Sequence, residues 1–444
     1  VLVGHEALAK AHLEPRLTIV GSKRLMGRQY HSSTVEDIRR HYAYAVVEGP
    51  EGEAAIDIGG DELTLEEVAA YLLRETRETA SLQLNEAVTR AVITCPAFFD
   101  ETQREAVRVA GELAGFIVER VLSEPTAAAL DFGVAHTEGT RRVAVFDLGG
   151  GTFDVSILEV DGSVYEVLAT GGDTFLGGMD FDACIAEIVV SHMIREGHPD
   201  PRRDAGAIAR IMDAAERAKK SLSERPSTLL NLPSFKIGTH EPFDVVIPLH
   251  REEVDDRLES LLARTEDIVR DVCRRAKIAP GSIDDVLLVG GMTRYPAVVD
   301  HAGRIFERRP RQEVHPEHSV ALGAARYAAG LHTLDQVVLI DALPMSIGVA
   351  LPDGRMLKLL ERDRRIPADG SCVLATNKKN QTRMEVWLVQ GEDSHAWNNE
   401  PLGCLTVELP PGALGAVTVS VHVKVSENGV ARIRGKEEPG AGEM

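Results

Sequence analysis

The sequence predicts an α/β architecture over most of its length, followed by a short all-β module. From Val1 to about Leu331, β-rich apolar runs alternate with helical patterns, and beyond Asp341 short apolar stretches are separated by turn signals. In the first part Arg90 to Cys95 and Arg142 to Phe146 read as strands, and Glu101 to Leu113 and Val254 to Ala276 as helices. In the second, Met384 to Val389 and Val417 to Val425 read as strands. Pro352-Asp353-Gly354 and Asn428-Gly429 punctuate them, and Asn-Gly between alternating apolar residues is a strong hairpin signal. Between the two parts lies Gln336 to Asp341, an apolar run that taken alone reads as a buried strand. The tail after Gly435, rich in Glu, Gly and Pro, is expected to be disordered.

With 444 residues, 44% of them hydrophobic, the chain can bury at least one sizeable core and is long enough for two or three domains. Acidic residues outnumber basic ones 69 to 49, for a formal charge of -20. Long-range electrostatics therefore repel nucleic acid and anionic membranes, and neither is expected as a partner. A phosphate can still be held locally, because backbone N–H groups and helix N-termini act at contact distance. The five cysteines, Cys95, Cys184, Cys273, Cys372 and Cys404, form neither a CxxC pair nor a zinc spacing, so reduced thiols are expected. No long uncharged apolar run could span a bilayer, and the first residues, with His5, Glu6 and Lys10, lack a signal-peptide core. A cytoplasmic location is the expectation that follows.

The most informative segment is Val143 to Leu158, two apolar strands around Asp147-Leu148-Gly149-Gly150-Gly151-Thr152-Phe153-Asp154. Consecutive glycines permit positive φ angles and remove the side chains that would keep a phosphate from backbone N–H groups. Thr152 adds a hydroxyl donor. Asp147, at the end of the first strand, can face a Mg²⁺ ion or its waters, and Asp154 is a second carboxylate in reach. Three glycines with an Asp on each side exceed what a tight hairpin needs. The segment is no Walker loop, because no Gly-Lys-Ser/Thr follows. Elsewhere, Glu216, Lys219, Lys220 and Ser223 fall on a helical pattern and read as sharing one face. Val289 to Pro296 is a strand running into Gly290 and Gly291, where backbone can approach a ligand closely and the Arg294 guanidinium can stack on a flat base.

With Asp-Leu-Gly-Gly-Gly-Thr-Phe-Asp at its centre, the chain resembles the heat-shock 70 kDa (DnaK-type) chaperone family. Gly21 to Arg28 is similar to that family's KRLIGR segment, Glu124 to Ala129 to its EPTAAA motif, and Gly172 to Asp182 to its GDTHLGGEDFD, with Met179 in place of an acid. The resemblance implies an actin-like (ribonuclease H-like) two-lobed ATPase domain with ATP or ADP and Mg²⁺ in its cleft. It implies that Lys23 reaches the transferring phosphate, where a lysine offsets developing charge. By the same resemblance Glu124 and Asp147 stand near the metal and its waters, Glu216, Lys219, Lys220 and Ser223 meet ribose and adenine, and Pro96 and Arg104 relay nucleotide state to an interdomain surface.

Asp341 to Gly435 resembles the family's peptide-binding β sandwich through Pro344 to Gly348, Arg365-Ile366-Pro367, Asn380-Gln381-Thr382 and Val389 to Glu392. An extended peptide is held in such a module by backbone hydrogen bonds and an apolar pocket, and the resemblance puts Val349, Leu351, Leu374, Met384 and Val386 at that pocket. Gln336 to Asp341, with Val338 and Leu339, then becomes an interdomain linker that couples ATP to peptide affinity. The expected division is 1–335 nucleotide-binding, 336–341 linker, 342–435 β sandwich and 436–444 tail. Before Val1 the family pattern has a first strand and phosphate hairpin, and after Gly435 a helical lid. These residues hold neither, so slow or absent hydrolysis and fast peptide exchange are expected. The implied function is an ATP-dependent chaperone of unfolded polypeptides, with a J-domain protein and a nucleotide-exchange factor as partners. The alternatives are a non-catalytic nucleotide-sensing relative and a small-molecule kinase of the same superfamily, which would not carry the β module.

Overall fold

The computed structural model describes residues 1–39, 42–133, 139–311, 314–331, 337–427 and 429–438. At its centre is a five-stranded sheet in the order Asp285–Val289, Arg141–Leu148, Phe153–Asp161, Val164–Asp173, Val338–Ile340. The middle three strands form an antiparallel meander, and the two outer ones join it in parallel. Ala144, Phe146 and Leu148 pack into one apolar core and Val143 and Val145 into another, so the sheet is covered on both faces. That explains a near-continuous apolar run in place of alternation.

One face is covered by the helices Gly178–Arg195, Ala205–Glu224 and Arg251–Ala276 together with the hairpin Ser227–Phe235 and Phe243–His250. The other is covered by Glu124–Gly133 and Ser319–Gly330. These last two touch through backbone: a Cβ on Gly323 would stand 1.7 Å from the Ala127 carbonyl oxygen. A second α/β body holds the parallel pair Arg90–Cys95 and Ile117–Ser123, the helices Leu65–Leu84 and Glu101–Leu113, and the antiparallel sheet Ala45–Glu48, Ala54–Ile58, Asp61–Thr64. Both helices start at capping boxes, Thr64 with Glu67 and Asp100 with Gln103, which satisfy orphan N–H groups at each N-terminus.

Residues from Leu343 onward build two further sheets, one of Met356–Leu360, Ile347–Ala350, Arg383–Gln390 and Glu400–Glu408, the other of Ala368–Ala375, Thr418–Val425 and Ala431–Glu438. They share one core in which Ile347, Val349, Val386 and Leu388 meet Val419, Val421, Val423 and Val425. The valines alternate with the exposed His422 and Lys424, the period of a half-buried strand. Each fully buried valine contributes roughly 1.5–3 kcal/mol.

The strand Arg90–Cys95 and the helix Glu101–Leu113 have their expected bounds, whereas the helix expected from Val254 begins at Arg251. The tail expectation needs correction: Lys436–Glu438 extend the edge strand, paired with Thr418–Ser420. Ladder hydrogen bonds outweigh the composition there. Residues 439–444 lie outside the described residues, as do Gln336 of the expected linker and Asn428 of the expected hairpin turn. Val338–Ile340 lies along Val164–Glu166 as an edge strand of the central sheet.

Candidate functional site

The strands Arg141–Leu148 and Phe153–Asp161 are joined by a hairpin closed by the Gly149 N–H donating to the Thr152 carbonyl at 3.0 Å. Asp147 and Asp154 therefore stand directly opposite each other in the ladder, both buried, with buried Thr152 between them in sequence. Like charges so placed oppose strand pairing. Burial, reinforced by the Glu124 carboxylate, pushes Asp154 up to about 7 despite a 3.0 Å hydrogen bond from the Phe98 N–H. Burial and the neighbouring Glu124 and Asp154 carboxylates hold Asp147 well above the usual carboxylate range. Carboxylates kept in such positions are a signature of a site.

The glycines of this hairpin are not there for backbone conformation, contrary to expectation: none of Gly149, Gly150 and Gly151 has a positive φ. Nor does packing demand them, since a Cβ on Gly150 would meet nothing within 4 Å and one on Gly149 only an ordinary contact at 3.8 Å. Their neighbours differ. A Cβ on Gly177 would stand 2.6 Å from the Gly151 backbone, and one on Gly290, at φ 87°, would stand 2.3 Å from the Leu148 carbonyl oxygen. Gly177 and Gly290 let two turns close onto the hairpin, and Gly149 to Gly151 present bare backbone between them. Gly178 and Met179 fix the first closure by donating N–H bonds to the carbonyls of Gly149 and Gly150 at 2.9 and 2.8 Å.

Lys23 and Glu124 meet at the same place, with Nζ 3.0 Å from Oε1. Desolvation in this crowded site works against the charge of the half-exposed lysine, but Glu124, then Asp147 and Asp154, outweigh it and raise its pKa. Beside it Arg24 donates from Nε to the Gly151 carbonyl at 2.9 Å and pairs with Asp180 at 2.5 Å. Asp180 also accepts from the Gly177 N–H at 2.8 Å. Arg24 and Asp180 received no role from the sequence, although both sit inside segments whose resemblance was read. Among the described residues no group of three or more His, Cys, Asp or Glu side chains converges closely enough to hold a metal directly.

The four residues expected to share a helix face all lie on Ala205–Glu224 at the i, i+3, i+4 and i+7 positions, but they differ in burial. Lys219 is buried, with Nζ 2.8 Å from Asp182 and 2.9 Å from the Gly178 carbonyl oxygen, whereas Lys220 is exposed and pairs with Glu216 at 2.8 Å. Ser223 donates back to the Lys219 carbonyl at 3.2 Å. Burial raises Asp182 to about 6 against the pull of Lys219. Gly290 and Gly291 lie at the end of Asp285–Val289, and Arg294 is exposed, 3.2 Å from Glu317.

Pro96 and Arg104 stand between this site and the β module. The Pro96 carbonyl accepts from Phe99 at 3.3 Å, and Arg104 donates to the carbonyls of Ala97 and Phe99, both at 3.3 Å. The loop they hold includes Phe98, whose N–H reaches Asp154. On its far side the Glu101 N–H donates to Gln390 Oε1 at 3.1 Å. Val338 and Leu339 lie in the docked edge strand. Of the apolar candidates, Val349, Met384 and Val386 are buried in the shared core, Leu374 packs against it, and Leu351 sits half-buried at a turn, its N–H 2.8 Å from the Arg355 carbonyl oxygen.

The acid-flanked glycine hairpin thus gathers Lys23, Arg24, Glu124, Asp147 and Asp154 from distant parts of an α/β chain. The family described as Hsp70 protein matches residues 1–443. A relative from Pisum sativum, "Heat shock 70 kDa protein, mitochondrial", is 37% identical over 440 residues, 99% of this chain and 65% of that protein. The chain belongs to the Hsp70 family, whose nucleotide-binding part is an actin-like, two-lobed α/β fold. It spans about 65% of the length of that relative. The expected cytoplasmic location does not stand, because that relative is a mitochondrial protein. An absent signal core carries no weight in a chain that opens on Val1.

Proposed function

We propose that this chain is a nucleotide-dependent molecular chaperone whose cleft holds ATP or ADP with Mg²⁺ at the Asp147–Asp154 hairpin. The observation that supports it most is the pairing of costly buried carboxylates with glycines that neither conformation nor packing requires. The donor set suits a magnesium phosphate. Gly149, Gly150, Gly151 and Thr152 offer N–H and hydroxyl donors, and Asp147 and Glu124 offer hard oxygens to a cation that keeps its waters. Lys23 offsets charge on the transferring phosphate, and Asp154 stands as the second carboxylate beside Asp147. Lys219, Glu216, Lys220, Ser223, Gly290, Gly291 and Arg294 take the adenosine, with Lys219 held by Asp182.

In this reading residues 1–335 form the nucleotide domain, 336–341 the linker, and the residues from 342 to the end of the strand at Glu438 a substrate-binding β sandwich. Val349, Leu351, Leu374, Met384 and Val386 line its peptide pocket once the core opens. Its substrates are extended polypeptide segments, and a J-domain protein and a nucleotide-exchange factor are its partners. Pro96, Arg104, Val338 and Leu339 carry the coupling. Peptide-stimulated ATP turnover tests this: stimulation is expected in the unaltered chain and lost in Leu339→Asp. An unchanged stimulation ratio contradicts the coupling.

A further inference from the structure

Arg28 connects three separate parts of the molecule through one guanidinium. Its Nε donates to the Arg24 carbonyl at 3.2 Å, Nη2 to Thr174 Oγ1 at 3.1 Å, and Nη1 to Glu400 Oε1 at 2.8 Å. Thr174 belongs to the turn that leads to Gly177 and Asp180, and Glu400 begins a strand of the β module. The Arg28 and Arg24 guanidinium groups both lie over the Phe175 ring, 5.5 and 5.7 Å from its centroid. Arg24 continues the line to the Gly151 carbonyl and Asp180. The Arg28 side chain is 9% exposed and that of Glu400 24%.

The segment is wedged in place. Gly27, at φ 67°, turns so tightly against the start of the helix Glu101–Leu113 that a Cβ would stand 2.7 Å from the Gln103 Cα, and Gln103 donates to the Met26 carbonyl at 3.2 Å. Arg24 and Arg28 therefore project from one restrained stretch of backbone. An arginine fork that meets three acceptors has one orientation, and a lysine cannot reproduce it. If the β module leaves, Glu400 leaves with it, and Arg28 loses both its carboxylate partner and the β-module side of its surroundings, so that the orientation of its fork is no longer fixed. Movement of Arg28 releases Thr174, and with it the turn that closes onto Gly149 and Gly150.

We propose that Arg28 and Arg24 are positioning residues that make docking of the β module, through Glu400, and closure of the phosphate-binding turns a single cooperative step. This rests on the nucleotide reading above and adds a route separate from the linker strand and from Arg104. Binding free energies are reciprocal, so a link of this kind must appear equally in nucleotide affinity and in docking.

The test uses the full chain with Glu400→Gln, which keeps shape and removes charge, and Arg28→Lys, which keeps charge and removes the fork. Affinity for a magnesium-loaded, non-hydrolysable ATP analogue is titrated, and nucleotide-induced hydrogen-exchange protection is followed at Val338–Ile340. Each variant is expected to lose about tenfold in affinity and a matching share of linker protection, although Glu400 lies in the β module. Unaltered affinity and protection in Glu400→Gln overturn the relay while leaving the nucleotide reading intact. Absence of analogue binding by the unaltered chain overturns both. If Arg28→Lys fails to fold by circular dichroism, Glu400→Gln, at a quarter-exposed side chain, decides alone.

Discussion

The Asp147–Asp154 hairpin and the apolar face around Val349 and Val386 carry the two halves of the proposed activity, and they relate to the fold in opposite ways. At the hairpin, opposed buried carboxylates and bare glycines work against stability or contribute nothing to it, so their presence points beyond the fold. Around Val349 the same side chains that would grip a peptide already fill the core between two sheets. A function that opposes stability can be separated from it by mutation, whereas one that coincides with it cannot.

The largest effect expected from this contrast is at the core. Val349→Asp places an unpaired charge at a fully buried position and should destabilise the β module by at least about 4 kcal/mol, read by chemical denaturation. Wild-type stability would mean that Val349 is free to serve a pocket alone. The opposite sign is expected at the hairpin. Asp147→Asn removes one of two opposed carboxylates and should leave stability unchanged or raise it by about 0.5–1 kcal/mol. A clear loss would make the carboxylates structural after all.

The smallest effect sharpens the boundary between the two regions. Burial pushes Glu101 up to about 8 against the Arg104 guanidinium, and burial pushes Asp100 up to about 6 despite the Gln103 N–H bond. Each carboxyl is raised relative to its ordinary value near 4, so the folded, docked state holds more protons. Its stability is fully present below about pH 4 from these groups and is lost as pH rises through 6 for Asp100 and 8 for Glu101. Between pH 6 and 8 Glu101 should cost up to roughly 1.4 kcal/mol per unit. The thermal midpoint should fall over that range, and Glu101→Gln should flatten the profile.

The legibility of the sequence followed the same division. The hairpin was readable because its residue types have few structural uses, and the capped helix Glu101–Leu113 because its signals are local. Two adjacent lysines were not separable: that Lys219 turns inward depends on Asp182, brought near only by packing of two helices. The parallel docking of Val338–Ile340 on Val164–Glu166 is equally non-local. Lys436–Glu438 were misread because composition cannot anticipate a ladder partner. Arg28 carried no separate signal, since its acceptors Thr174 and Glu400 lie far along the chain.

The central claim is that the Asp147–Asp154 hairpin binds a magnesium nucleotide. Calorimetric titration of the full chain with MgADP, beside Asp147→Asn, tests it most directly. Binding by the unaltered chain and at least about a tenfold loss in the folded variant are expected. Equal affinity in both, or no binding by the unaltered chain, would contradict it.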